Sequence, residues 1–539
     1  MSKDTAPAPR LFPQLKMKLW LVFLLGITVA ARRGSDFIGD FAIVNALTFM
    51  GLMLAGMSAV IWLTFFSDHS ASARYGTLLI VVGGIFAFFS LVRVEGVSGE
   101  LIPTFRMRWS KAPDELLENP ESDTADHVDL QTTTKDDFPG FLGPKRSGHV
   151  SDVALATDWS KNKPKILWKL EVGAGWSAFS AVNGFAVTME QRGDQEWVTC
   201  YEIETGKLRW ATPSPGRHET TMGGIGPRST PTIHAGRVFT VGATGLVRCL
   251  DGATGKVIWE DALLKRYKQS AAEEQGYVAW GRSNSPLIVD DLLVVPAGGT
   301  PEKRVSLIAY DWKTGDVKWE SGNTYISYAS PNVATILGDR QILSVNESTV
   351  SGHDIRNGRV LWEHEWNGSS AAAATASQPV PISDDQILIS KHYNQGSALL
   401  KLNKDAEGNY TVKREWHKTN LLKTKFTNVV IIGEYAYALS DGILECAEVQ
   451  TGKKMWKDRK GRFGQGQILG VGNLIIAMSE KRPCALQLVE ATPKKFNHLG
   501  SFTVFEESDR AWNNLCLYGN KLLVRNWQYA ACVELPVKP

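Results

Sequence analysis

Gly252-Ala253-Thr254-Gly255-Lys256, inside the stretch DGATGKVIW, carries the glycines and lysine of a phosphate-binding loop. That chemistry needs four residues between the glycines and a Ser or Thr after the lysine, because that hydroxyl holds the magnesium. Here two residues separate the glycines and Val257 follows the lysine. The phrase also recurs, as CYEIETGKLRW (200–210), CLDGATGKVIW (249–259), AYDWKTGDVKW (309–319), GHDIRNGRVLW (352–362) and CAEVQTGKKMW (446–456). A nucleotide loop has no reason to be copied five times, so the phrase is a structural unit.

Other reactive residue types give no local constellation. Six cysteines are scattered without a C-x-x-C or an adjacent pair. Cys200, Cys249 and Cys446 share one position of the unit, and Cys532 holds the comparable place in AACVEL. Ala309 and Gly352 fill that position in sister copies, which points to a small buried slot and not to disulfides or metal. Ten histidines show no metal-ligand spacing; H-E-x-x-H and G-x-S-x-G are both absent. No metal site is expected. A net charge of +3 over 539 residues has no basic bias, which argues against a nucleic-acid partner.

The unit itself reads as a β-hairpin. Thr-Gly or Asn-Gly suits a tight turn with a positive-φ glycine, and apolar residues alternate on both sides. In the copy quoted first, one strand ends near Asp251 and the next carries Trp259. Degenerate copies place aromatics at Trp416 and Phe496, and PKILWKL adds Trp168 on a strand with no turn before it. The series Trp168, Trp210, Trp259, Trp319, Trp362, Trp416, Trp456 and Phe496 recurs every 40 to 60 residues. That period fits four-stranded propeller blades. The spacing predicts an all-β, eight-bladed propeller of four-stranded antiparallel blades over 137–539, preceded by transmembrane helices. Its closing blade combines AACVEL with the half-unit around Trp168, which removes free sheet edges. The tryptophans are expected to dock between neighbouring blades.

Such a ring exposes the starts of its inner strands to a central funnel, where ligands bind. Those starts align as SAFSAV (177), RSTPTI (228), SNSPLI (283), YASPNV (328), ASQPVPI (376), KFTNVVI (425), QGQILGV (465) and AWNNLCL (511). The candidate binding residues are Trp176, Arg228, Arg282, Asn284, Tyr328, Gln378, Lys425, Gln465, Arg510, Trp512 and Asn513. Arginines, a lysine, amides and aromatics suit a flat polyanionic ligand. The same groups would equally satisfy backbone atoms around a water-filled channel, and both possibilities stand. Catalytic residues are not identifiable, since no Asp or Glu leads any inner strand.

The N-terminal quarter is different material. Residues 41–67 and 75–92 contain no charged residue and are long enough to span a bilayer. The run 19–31 is shorter and follows Lys16 and Lys18, as in a signal-peptide core or a marginal span. The expected layout is a cytoplasmic tail at 1–18, an anchor of about three helices at 19–93, and a polar linker at 94–136. The linker sequence, with APDELLENPESDTADHVDL, suggests an extended tether. Three retained spans, or two after cleavage, both leave the propeller outside the inner membrane, on the periplasmic side.

The unit A-x-D-x-x-T-G-x-x-x-W resembles the tryptophan-docking repeat of pyrroloquinoline-quinone (PQQ) propellers, and DFPGFLGPKRSG (137–148) is similar to the segment that leads into bacterial PQQ-like repeats. That superfamily holds quinoprotein alcohol and glucose dehydrogenases as well as the lipoprotein propeller of the outer-membrane barrel-assembly machinery, which binds no quinone. The resemblance therefore implies the fold more sharply than the activity. As an enzyme the chain would be a PQQ- and calcium-dependent dehydrogenase of alcohols or sugars, feeding membrane quinone. It departs from the alcohol dehydrogenases in lacking their adjacent cysteines, and from the longer glucose dehydrogenases in lacking their insertions. These departures favour a membrane-anchored binding or scaffolding module without a committed cofactor. Its expected partners are the membrane and another envelope protein, or a small anionic ligand in the funnel.

Overall fold

The computed structural model describes residues 11–34, 40–120, 128–480, 482–506 and 510–538, with side chains from residue 15 onward. The first ten residues of the expected tail and 121–127 of the expected linker lie outside the described residues. The chain divides into two compact units, Met1–Ser110 and Lys111–Pro539.

The second unit is an eight-bladed propeller of four-stranded antiparallel blades. Blade 1 begins at Ser180–Val182, blade 2 at Thr232–His234, blade 3 at Leu287–Val289 and blade 4 at Asn332–Ile336. Blade 5 begins at Val380–Pro381, blade 6 at Val430–Ile432, blade 7 at Ile468–Val471 and blade 8 at Cys516–Tyr518. Consecutive strands pair by short turns, so each blade is a meander. Blade 8 takes its outermost strand from Lys165–Glu171, with Cys532 opposite Trp168. One sheet thus joins the two ends of the propeller sequence, as the half-units predict.

The recurring phrase explains itself at the rim. Asp251 Oδ1 accepts the amide and hydroxyl of Thr254 at 2.9 and 2.7 Å, fixing the turn. Gly255 then adopts φ +71°, and a Cβ there would lie 2.6 Å from the Trp210 ring of the previous blade. Gly206, Gly315, Gly358 and Gly452 abut Trp168, Trp259, Trp319 and Trp416 in the same way. The glycine serves twice, for the turn and for the neighbour's indole. Each indole N–H donates across the blade boundary: Trp168 to Ile203 O, Trp210 to Gly252 O, Trp259 to Trp312 O and Trp319 to Ile355 O, at 2.7–3.1 Å. Trp416 and Trp456 do likewise to Val449 O and Thr492 O. Trp362 is the exception and donates to Gln341 Oε1 in its own blade. The next blade has the longer turn DAEGNY in place of the short Thr-Gly turn.

The small slot is real in the five copies of the recurring phrase, where Cys200, Cys249, Ala309, Gly352 and Cys446 pair with Trp210, Trp259, Trp319, Trp362 and Trp456. Trp416 instead stands opposite Leu399. All six cysteines are buried free thiols. Phe496 does not hold the eighth docking position. Gly500 stands opposite Leu488, and Trp159, from the segment before blade 8's outer strand, packs against that glycine. The turn in blade 7 is longer than the repeat, so counting to the next aromatic stops short of the strand. Phe496 instead meets Trp456 edge-on at 5.8 Å.

In the first unit, helix α1 (Leu11–Arg33) begins well before the apolar run at 19, so 11–18 are helical. Helices α2 (Phe41–Phe66) and α3 (Ala71–Leu91) are long and apolar enough to cross a bilayer. The stretch expected as a tether is structured in its described parts. Val92–Val97 and Pro103–Met107 form a hairpin, and Val128 and Leu130 are buried with the core of blades 1 and 2. The acidic residues that suggested solvation are used locally: Asp114 is buried against Arg217 at 2.6 Å.

Candidate functional site

The starts of the inner strands stitch the ring together. Thr230 N donates to Ser285 Oγ, and Ser285 N to Ser330 Oγ, both at 2.9 Å, linking blades 2, 3 and 4. Asn284 Nδ2 reaches Ser327 O and Ala329 O at 3.0 and 2.7 Å. Gln378 N donates to Asn428 Oδ1 at 3.0 Å. Gln467 Nε2 bridges Phe426 O and Trp512 O, while Asn513 Nδ2 reaches Ser177 O at 2.8 Å and closes the circle into blade 1. The extended dipeptide before each inner strand leaves its backbone groups unpaired within the blade, and the neighbour's polar side chain satisfies them.

A segment outside the repeats crosses this ring. Phe138 pairs with Ala181 of blade 1, and Pro139 O accepts from Ile233 N of blade 2. Arg146 sends its guanidinium to Pro286 O and Pro331 O of blades 3 and 4 at 3.1 and 3.0 Å. Its own carbonyl accepts from Gln378 Nε2 of blade 5. His149–Val150 then adds a parallel strand to the inner edge of blade 7, and Ala156 N bonds Pro536 O beyond blade 8. Arg146 is 8 % exposed, and burial brings its guanidinium down to about 9.

Aromatics gather at the starts of blades 1, 6 and 8. Trp512 lies between Trp176, centroids 4.5 Å apart, and Phe426 at 4.9 Å. Trp176 Nε1 donates to Gly223 O at 2.6 Å. Tyr328 stacks on Trp280 at 5.4 Å and donates to Ser370 O. The basic candidates are similarly engaged. Arg228 donates to the carbonyls of Gly223, Gly224 and Gly226, and burial lowers it to about 10. Arg282, 1 % exposed, is neutralised by Glu274 at 2.5 Å and also holds Pro296 O and Ala297 O. Arg510 lies over the Trp527 ring, 4.4 Å from its centroid. Lys425 is buried near Asp441. Burial raises the Asp441 carboxyl, but His392 at 3.3 Å together with Lys423 and Lys425 outweighs it and holds the group below its usual range.

The structure adds carboxylates that the alignment of inner strands missed. Glu480 accepts Trp512 Nε1 at 2.9 Å and Gln465 N at 2.7 Å, and its carbonyl accepts Arg510 N at 3.0 Å. It thus holds three of the candidates together. Glu196 is buried between blades 1 and 2 and accepts Ala243 N at 2.9 Å. Burial pushes its carboxyl up to about 7, against the pull of that amide, Arg228 and Arg248. Glu445, fully buried, accepts Leu422 N at 2.8 Å. These acids follow second strands or sit within third strands, not at inner-strand starts. The available signal was a charged residue inside an otherwise apolar strand, as in ILECAE.

As arranged, the ring does not fit a tricarboxylate quinone. The guanidinium groups that would meet its carboxylates are committed to backbone carbonyls, to Glu274 and to Trp527. What remains is a mixed set of neutral groups. Asn284 Oδ1, Gln378 Oε1, Gln465 Oε1 and Asn513 Oδ1 are buried without a protein donor. Gln465 Nε2 and the hydroxyls of Ser229, Thr230, Ser377 and Thr427 are buried without a partner among the described residues. Beside the ring, His218, Thr244, Glu274, Gln275 and Val278 line a cavity of about 140 Å³.

Residues 194–458 match the family model described as outer membrane protein assembly factor BamB. Among solved structures, quinohemoprotein alcohol dehydrogenase from Comamonas testosteroni is 11% identical with a TM-score of 0.53, covering 75% of this chain and 81% of that one. The alcohol dehydrogenase ADHIIG from Pseudomonas putida HK5 is 10% identical with a TM-score of 0.52 and the same coverages. BamB from Moraxella catarrhalis is 12% identical with a TM-score of 0.49, covering 69% of this chain and all of that one. No curated protein matches the chain by sequence. The family-model match and the shared fold agree with the resemblance carried by the repeat.

Proposed function

We propose that this protein is a bilayer-anchored propeller that works on the periplasmic side of the inner membrane as a binding or scaffolding module for another envelope protein or a small anion. The observation that supports it is the use of the inner ring. The polar side chains that would recognise a cofactor hold blades to one another or carry the crossing segment around Arg146. A ring built this way is a rigid platform, and its remaining surfaces are free for a partner. The two apolar helices and the BamB-like fold are compatible with an envelope location, and an odd number of retained crossings orients the propeller outward. Protease added to spheroplasts is expected to release a soluble fragment starting between 98 and 138. Digestion only after lysis of the inner membrane overturns the orientation.

One observation favours the dehydrogenase alternative: Glu480 is a buried carboxylate in contact with Trp512 and Gln465. The full-length protein in detergent, titrated with PQQ and calcium and followed by absorbance and dye-linked oxidation of alcohols and sugars, separates the two. The scaffold reading expects no turnover. Turnover that is abolished by Glu480→Gln establishes the enzyme instead.

A further inference from the structure

The hairpin that follows α3 has two unlike faces. Helix α3 passes straight into the strand, with Val92 N bonded to Phe88 O. In the antiparallel register Val92 faces Met107 and Val94 faces Phe105, whereas Arg93 faces Arg106 and Gly96 faces Thr104. Directly opposed residues share a face and successive ones alternate. One face is therefore Val92, Val94, Phe105 and Met107; the other carries Arg93, Arg106 and Thr104. The apolar face is exposed, with Val94 at 41%, Phe105 at 49% and Met107 at 46%, and Trp109 just beyond it at 68%.

The hairpin also does not project away from the helices of its own unit. Arg108 returns to the end of α3, its amide bonding Leu91 O at 2.8 Å and its Nε bonding Phe89 O at 3.0 Å. Phe105 meets Phe88 edge-on at 5.5 Å. At the far end, the Glu100 carbonyl accepts Asn45 Nδ2 of α2 at 2.8 Å. The ribbon thus bridges the C-terminus of α3 and the N-terminal turn of α2. Those two ends lie on the same side of the helix pair, because α2 and α3 run in opposite directions through a short turn.

We infer that this hairpin lies flat in the headgroup layer of the bilayer, with Val94, Phe105, Met107 and Trp109 turned to the acyl chains and Arg93 and Arg108 bound to lipid phosphates. The inference rests on the membrane-anchor reading above. Aromatic and arginine side chains at the end of a span are the groups that partition to that interface. Glu95 is already paired with Arg106, while Arg93 and Arg108 are exposed and, among the described residues, donate to carbonyls, of Ser110 and Phe89. Their charge is left for an anion, and each arginine at such a surface is worth roughly a fivefold preference for anionic lipid.

The test uses full-length protein in nanodiscs of phosphatidylcholine with or without phosphatidylglycerol. Spin labels are placed singly through Leu79→Cys in α3, Val94→Cys and Phe105→Cys on the apolar face, and Thr104→Cys opposite. The six native thiols are buried, and unlabelled background is read from the wild type. Collision with oxygen and with a water-soluble nickel chelate reports depth. The expected result is acyl-chain depth at Leu79, interfacial depth at Val94 and Phe105, and water at Thr104. Loss of the phosphatidylglycerol preference in Arg93→Gln/Arg108→Gln, with Leu79 unmoved, supports the phosphate contacts. Water access at Val94 and Phe105 with Leu79 still in acyl chains overturns the hairpin proposal alone. Shielding of both positions from oxygen and nickel alike also overturns it, because protein then covers the face. Water access at Leu79 overturns the anchor reading itself.

Discussion

The rim and the axis of the propeller are built on opposite plans. At the rim, one arrangement is repeated: an acidic residue fixes a Thr-Gly turn, the glycine abuts the preceding blade's indole, and that indole donates back across the boundary. At the axis, the boundaries are held by a mixture of residues, with Ser285 and Ser330 alike but Asn428, Gln467 and Asn513 in other places, and the ring is completed by Arg146 from outside the repeats. Repetition at the rim makes the blades interchangeable and the fold robust. Variation at the axis makes the boundaries less alike than at the rim, and there the buried acids Glu196, Glu445 and Glu480 accumulate. The difference teaches that fold identity resides at the rim and chemical identity at the axis.

The comparison breaks first at a docking indole. Trp210→Ala removes a buried ring and its bond to Gly252 O, and is expected to cost about 3–5 kcal/mol in denaturant unfolding of the full chain. A cost below about 1 kcal/mol would mean that blades are not held at the rim. Next comes the axis: Arg146→Met strips donors from Pro286 O and Pro331 O and is expected to cost about 2–3 kcal/mol. A neutral outcome would make the crossing segment dispensable.

Gly255→Ala sharpens the rim argument, because it combines positive φ with overlap on the Trp210 ring. It should cost about 2 kcal/mol, whereas Gly408→Ala, also at positive φ but with only a Lys404 carbon near at 3.9 Å, should cost about 1. Equal costs would reduce the glycine to its turn alone.

Glu196 gives the axis a pH signature. Its folded value near 7 lies above the ordinary 4.5, so the fold favours the protonated acid. That contribution is complete below about 4.5 and is lost as pH rises through 7. Glu196→Gln should flatten the stability profile between these values by on the order of 3 kcal/mol. An unchanged slope excludes Glu196 as its source. The smallest effect belongs to the surface. Lys313→Ala breaks an exposed pair with Asp291 at 3.3 Å and should change stability by less than about 0.5 kcal/mol.

By itself the sequence determined the blades, their number, the closing strand around Trp168, the docking tryptophans with their small slots, and the apolar helices. Each depends on contacts within a hairpin or between identical neighbours, so the requirement is written again at every period and survives in the spacing. It overshot at Phe496, where a longer turn put Gly500 and Trp159 in the docking place. It named the inner-strand residues but not what they do. Arg282 looked like a ligand for an anion, and only the tertiary structure supplied Glu274. Arg146 and Pro331 are 185 residues apart, and Asn513 and Ser177 are 336 apart. No local pattern encodes such pairs. They exist only once the ring has closed, because closure brings unlike residues from every blade to one axis, where burial decides which charges and amides must find one another.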